Sequence, residues 1–150
     1  NTLVGMLGNG NDAAGQEAVN TYCKNNGYTD TSMGRMLLEK ASANENYTSA
    51  RDCSVFLKNI YENKLEHSED MLNLLKQQTR TEKIPKGVPA GVETANKTGE
   101  LDHVENDAAI VFDGENPYII CVMADNLSDT TEARQRIVDI SSVVYENISK

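Results

Sequence analysis

Gly91-Val92-Glu93-Thr94-Ala95-Asn96-Lys97-Thr98-Gly99-Glu100-Leu101 is where the apolar pattern of this chain changes period. The segment follows a Pro/Gly-rich approach, Ile84-Pro85-Lys86-Gly87-Val88-Pro89-Ala90, and reads as a strand over about 91–98. Two more strand candidates come after it, at about 106–112 and about 117–124. Asp113-Gly114 between them is a hairpin signal, and Pro117 suits a strand start. Upstream, the periodic segments are helical. Downstream, Asp129-Thr130-Thr131-Glu132 opens a helix with Asp129 as cap, and Ala133, Ile137, Ile140, Val144 and Ile148 give it an apolar stripe. Helices, then a three-stranded antiparallel meander, then a C-terminal helix packed on the sheet make an α+β chain. Residues 1–83 form its mainly helical region and 84–150 the sheet with its helix.

The first half has the punctuation of helices and one long loop. Leu3, Val4, Met6 and Leu7 resemble the buried side of a helix that began earlier. With no initiator methionine, the expectation is a piece of a longer protein. Gly8-Asn9-Gly10-Asn11 is a turn, and Asp12 is the expected cap of a helix from Ala13 to about Asn25. Residues 28–46 show no sustained period and read as a surface loop with Met33–Leu38 tucked in. Ser49-Ala50-Arg51-Asp52 begins a helix to about Tyr61, and Ser68-Glu69-Asp70 another to about Gln78, with Ser68 as its cap.

Composition bounds the function. The 150 residues carry a net charge of −9 with no basic cluster, which argues against nucleic acid as a partner. No apolar run reaches the roughly 18–20 residues of a membrane span. Cys23, Cys53 and Cys121 are widely spaced and lack His or Cys neighbours at zinc spacing, so no metal and no cofactor is expected. Lys97-Thr98-Gly99 is the chemical candidate. On a strand, successive side chains leave opposite faces, so Lys97 and Thr98 serve different sides of an edge, while Gly99 permits close approach to the backbone. An ammonium, a hydroxyl and open backbone N–H groups suit an anionic, peptide-like ligand.

In this setting the chain resembles the C-terminal part of the class A β-lactamase-like, penicillin-binding serine hydrolases. Lys97-Thr98-Gly99 stands where that family has its Lys-Thr/Ser-Gly strand. Asn9-Gly10-Asn11 stands at its Ser-Asp-Asn junction, and Gly34-Arg35 with Asn46–Asp52 border its omega loop. The resemblance implies an acyl-enzyme on β-lactams or D-Ala-D-Ala-type cell-wall peptides, in the bacterial envelope or outside the cell. Lys97 would then supply positive potential, and Thr98 would bond the substrate carboxylate with Gly99 beside it. The Glu100 N–H would be an oxyanion donor, and Asn11 would bind a substrate amide.

Three departures stand out. No serine here has a lysine three residues on, so the nucleophile is expected upstream. Asn9 replaces the motif's serine, and an amide relays a proton poorly. The deacylating glutamate's place falls near Leu37, with Glu39 and Glu45 as displaced candidates. The alternative function is therefore a binding or sensor module that does not turn over. The uncharged strand 117–124 is expected to pair at its edge with the missing N-terminal part or with another copy.

Overall fold

Asn11, one residue before the expected cap, starts the second helix. The computed structural model describes residues 1–39 and 44–148, so part of the polar stretch of the long loop lies outside the described residues. The chain divides into two bodies, Asn1–Asp52 and Cys53–Lys150.

In the first body, α1 (Thr2–Leu7) leads into α2 (Asp12–Asn25). Asn11 Oδ1 accepts from Ala14 N at 3.1 Å, a cap of about 1 kcal/mol. Gly15 lets α1 approach, since a Cβ there would sit 2.0 Å from the Val4 carbonyl oxygen. The buried side expected for α1 is a correction: Leu3, Met6 and Leu7 are exposed. Of the four apolar residues only Val4 is partly covered, because a six-residue helix touches α2 along one line.

The long loop is held by polar tethers. Asn20 on α2 bonds both the N–H and the carbonyl of Met33, at 2.7 and 2.9 Å. Asn46 Oδ1 accepts from Gly34 N and Arg35 N, and Ser32 pairs with Tyr47 in a short bridge. Of the patch expected to tuck in, Met36 is buried while Leu37 and Leu38 are exposed. The polar anchors, more than apolar burial, fix this loop. Asp52 is buried and accepts from Asp30 N and Thr31 Oγ1, so it ties the loop's start to the helix that follows.

That helix is α3 (Ala50–Tyr61), whose first turn closes when Ser49 Oγ accepts from Asp52 N. In the second body come α4 (Ser68–Lys76) and a 3-10 turn at Ile84–Gly87, the latter unforeseen. Ser68 is the first helical residue of α4, and its hydroxyl donates to the Leu65 carbonyl; left-handed His67 takes the cap position. The sheet is β1 (Glu93–Leu101), β2 (Val104–Phe112) and β3 (Tyr118–Ala124), antiparallel in that order. β1 runs three residues beyond expectation because β2 pairs with it to Leu101↔Val104, overriding the weak strand propensity of Gly99 and Glu100.

Each sheet face has its own core. Leu57 of α3 meets Ala95 and Ile110, joined by Leu72 and Leu75 of α4. The opposite face sets Ala109, Val111 and Ile120 against Ile84 of the 3-10 turn and Ile137 of α5 (Thr130–Ile148). Each fully buried Ile or Val stabilises by about 1.5–3 kcal/mol. Asp129 caps α5 as expected, accepting from Thr131 N and Glu132 N. Its buried line runs through Ala133, Ile137 and Ser141, and Ile140 and Ile148 are exposed, which corrects the expected stripe. Ser141 holds the line because its hydroxyl donates to the Ile84 carbonyl at 2.9 Å. Gly87 permits that approach, a Cβ there lying 2.4 Å from the Val138 carbonyl oxygen. Among the described residues no helix is long and apolar enough to cross a membrane.

Candidate functional site

β1 pairs with β2 on one side and is the outer strand of the described sheet, so Lys97-Thr98-Gly99-Glu100 lie along an open edge. Lys97 faces the same way as its partner Ala108 and is exposed. Its ammonium folds back onto the Thr98 carbonyl, and it makes no ion pair among the described residues. Thr98 leaves the opposite face, across from Asp107, and is buried. Gly99 has no left-handed backbone, and an added Cβ would meet only Asn106, at 3.5 Å. Packing within the chain therefore does not demand glycine there.

Behind this edge runs a line of alternating charges absent from the sequence reading. Arg80 lies 2.7 Å from Glu100, and Lys83 Nζ lies 3.3 Å from the same carboxylate. Lys83, 2 % exposed, also sits 2.6 Å from Glu105 Oε2 and donates to the Asn106 carbonyl at 3.0 Å. Glu105, 1 % exposed, accepts from Arg134 of α5 at 2.7 Å. The side chain of Glu100 is thus pinned from two sides, and with it the backbone at the end of the Lys-Thr-Gly segment. Beside this line, buried Asp107 accepts from Ile84 N at 3.0 Å and from Asn96 Nδ2 at 3.1 Å. One signal could have exposed the line: Glu105 and Asp107 alternate in phase with Ala109 and Val111, placing charges on a core face.

The two buried acids titrate in opposite directions. Burial pushes Glu105 up, but the bonds and charges of Arg134 and Lys83 outweigh it and hold the carboxyl below its ordinary value. Its contribution to stability is present above the unfolded pKa and lost as pH falls through the folded one. Burial raises Asp107 despite the bonds from Asn96 and Ile84. Its contribution is present below the unfolded pKa and fades as pH rises through the folded value.

Asn9 and Asn11 share the α1–α2 turn of the first body. Asn9 is exposed and left-handed, at φ 52°. Asn11 spends its Oδ1 on the helix cap, which leaves its Nδ2 as a donor for a carbonyl. In the loop, Arg35 reaches Glu45 at 2.7 Å and the Glu39 carbonyl at 3.0 Å, while the Glu39 carboxylate accepts from Met36 N. Both glutamates are occupied in holding the loop. A cavity of about 420 Å³ lies between α2 and this loop, walled by Gln16, Asn20, Met33 and Tyr47 among others; neither Asn9 nor Asn11 lines it.

A profile described as the beta-lactamase enzyme family matches residues 2–148. No curated protein sequence matches the chain. Among solved structures, a beta-lactamase from Sphaerobacter thermophilus DSM 20745 superposes with a TM-score of 0.82 at 25% identity, over 91% of this chain and 55% of that one. PBP-A superposes at 0.77 and 23% identity, over 88% and 51%, and a PBP-A mutant is described as an acyl-enzyme complex with penicillin G. A beta-lactamase from Burkholderia vietnamiensis gives 0.78 at 17% identity, over 93% and 56%. The chain spans about half the length of these structures.

Proposed function

The chain belongs to the β-lactamase enzyme family, and from that premise we propose that it is the C-terminal part of a single serine-hydrolase domain. That domain acts through an acyl-enzyme on β-lactams or D-Ala-D-Ala-type stem peptides, in the bacterial envelope or outside the cell. The nucleophile of the Ser-x-x-Lys motif lies outside these 150 residues. One observation carries the reading: Lys97 is exposed on the open edge of β1 with no ion-pair partner among the described residues, two residues from a glycine that packing does not require. Lys97 supplies positive potential for the substrate carboxylate, and Thr98 and Gly99 line its approach. The Glu100 N–H is an oxyanion donor, and Asn11 Nδ2 takes a substrate carbonyl.

A second reading, a binding or sensor module that holds its acyl group, is favoured by the omega-loop region. The family's place for the deacylation base falls near Leu37, while Glu39 and Glu45 are tied up in the loop. Fluorescent penicillin followed over time on the full-length protein distinguishes the readings. A label that turns over supports the hydrolase, a lasting label supports the sensor, and no label overturns both. Glu39→Gln keeps the acceptor for Met36 N and removes the base. It is expected to leave deacylation unchanged, and a large slowing would make Glu39 the base.

The outer edge of β3 is the proposed contact with the N-terminal part, or with another copy. β3 is uncharged and outermost in the described sheet. Residues 2–7 are helical, so they do not add a strand to this edge. Hydrogen exchange through Ile119–Met123 in the isolated chain is expected to slow as concentration rises. Slow exchange independent of concentration, in a chain that sediments as a monomer, would overturn this contact.

A further inference from the structure

We infer that Asn9-Gly10 is a self-deamidation site, at which the chain converts its own Asn9 amide to a carboxylate. The reaction needs only water. The Gly10 backbone nitrogen attacks Asn9 Cγ and loses its proton, the carboxamide nitrogen departs as ammonia, and a cyclic succinimide forms. Water then opens the ring at either carbonyl, giving aspartate or isoaspartate. No electrons are exchanged with any other group.

Two Asn-Gly pairs occur in the sequence, Asn9-Gly10 and Asn26-Gly27, and the structure separates them. Both are exposed and both glycines have positive φ, at 86° and 80°. Asn26 Nδ2 donates to the Tyr22 carbonyl at 2.8 Å, which fastens that side chain against the end of α2. The Asn9 side chain makes no hydrogen bond among the described residues. It can therefore turn its Cγ toward the next nitrogen. Gly10 adds no obstruction, since nothing lies within 4 Å of where its Cβ would be. The Gly10 N–H does donate to the Gly5 carbonyl at 2.8 Å, and this bond must open before attack. It closes the end of α1, a six-residue helix with no buried residue, which is the kind of segment that opens most readily. The fourteen-residue α2 holds Asn26 at a firmer end.

The product adds one negative charge to a chain of net charge −9. It also replaces an amide that relays a proton poorly with a group that can relay one. That consequence rests on the role proposed for Asn9, whereas the modification does not. The intact chain, held at mildly alkaline pH and sampled over time, is to be digested and its peptides weighed. The peptide containing Asn9 is expected to convert several-fold faster than that containing Asn26, with isoaspartate among its products. Dissolving the chain in concentrated urea should erase the difference, because the tether on Asn26 is then lost. Conversion at Asn9 no faster than at Asn26 in the folded chain would overturn the inference, as would a product that is aspartate alone. Penicillin labelling of full-length protein aged in the same way reads the second step separately. Conversion at residue 9 with unchanged acylation leaves the site standing and removes Asn9 from the acyl-transfer reaction.

Discussion

Lys83→Met is expected to destabilise the protein by about 3–5 kcal/mol, the usual loss when one partner of a buried ion pair is removed. The methionine fills similar volume, so the loss reports charge more than packing. Glu105 Oε2, the near oxygen of Glu100 and the Asn106 carbonyl would all lose their ammonium. Arg134 would still hold the other oxygen of Glu105, which keeps the loss toward the lower end. Adding Glu105→Leu should recover much of the loss, because a paired apolar replacement leaves no buried charge unmatched. The single variant's deficit should also shrink in acid. Glu105 has its folded pKa depressed, so the pair's contribution exists above the unfolded carboxylate range and disappears as pH falls through the folded value. Urea midpoints at neutral and acid pH measure all three effects. A loss below about 1 kcal/mol at neutral pH, within the range of a surface pair, would mean that the line of charges is not a structural brace.

Lys97→Ala in the full-length protein is expected to lower penicillin acylation by about a hundredfold or more, the scale seen when one preorganised electrostatic group is removed from an active site. Stability should move by less than about 0.5 kcal/mol, as for an ordinary surface substitution. The contrast with Lys83 is the point of the experiment. Lys83 is buried among carboxylates beside the Gly99 and Asn106 carbonyls, whereas Lys97 is exposed and, among the described residues, bonded to the Thr98 carbonyl. An exposed ammonium with no ion pair among the described residues can turn to a ligand's charge, and its removal subtracts from ligand binding in the transition state. An undiminished acylation rate would remove Lys97 from the site and, with it, the main support for the proposed function. A large fall in the melting temperature would instead assign Lys97 to the fold.

Local chemistry was enough to read much of this chain in advance. Asp113-Gly114 closes its hairpin, Asp129 caps α5, and Ser49 caps the first turn of α3, because each depends on residues adjacent in sequence. The shift from helical to alternating period located all three strands, since burial of one face imposes that period directly. Arg35 holds its own loop through partners four and ten residues away. What needed the tertiary structure was every pairing across long separations. Lys83, Glu105 and Arg134 are 22 and 29 residues apart in sequence, by the numbering, and unremarkable singly; only the β1–β2 pairing and the docking of α5 bring their charges together. The stripe on α5 went astray at Ile140 for the same reason. Which side of a helix is buried depends on what it meets, and Ser141 meets the Ile84 carbonyl. Periodicity could mark the apolar side of α1 but not supply a surface to cover it, so Leu3, Met6 and Leu7 remain in solvent despite their spacing.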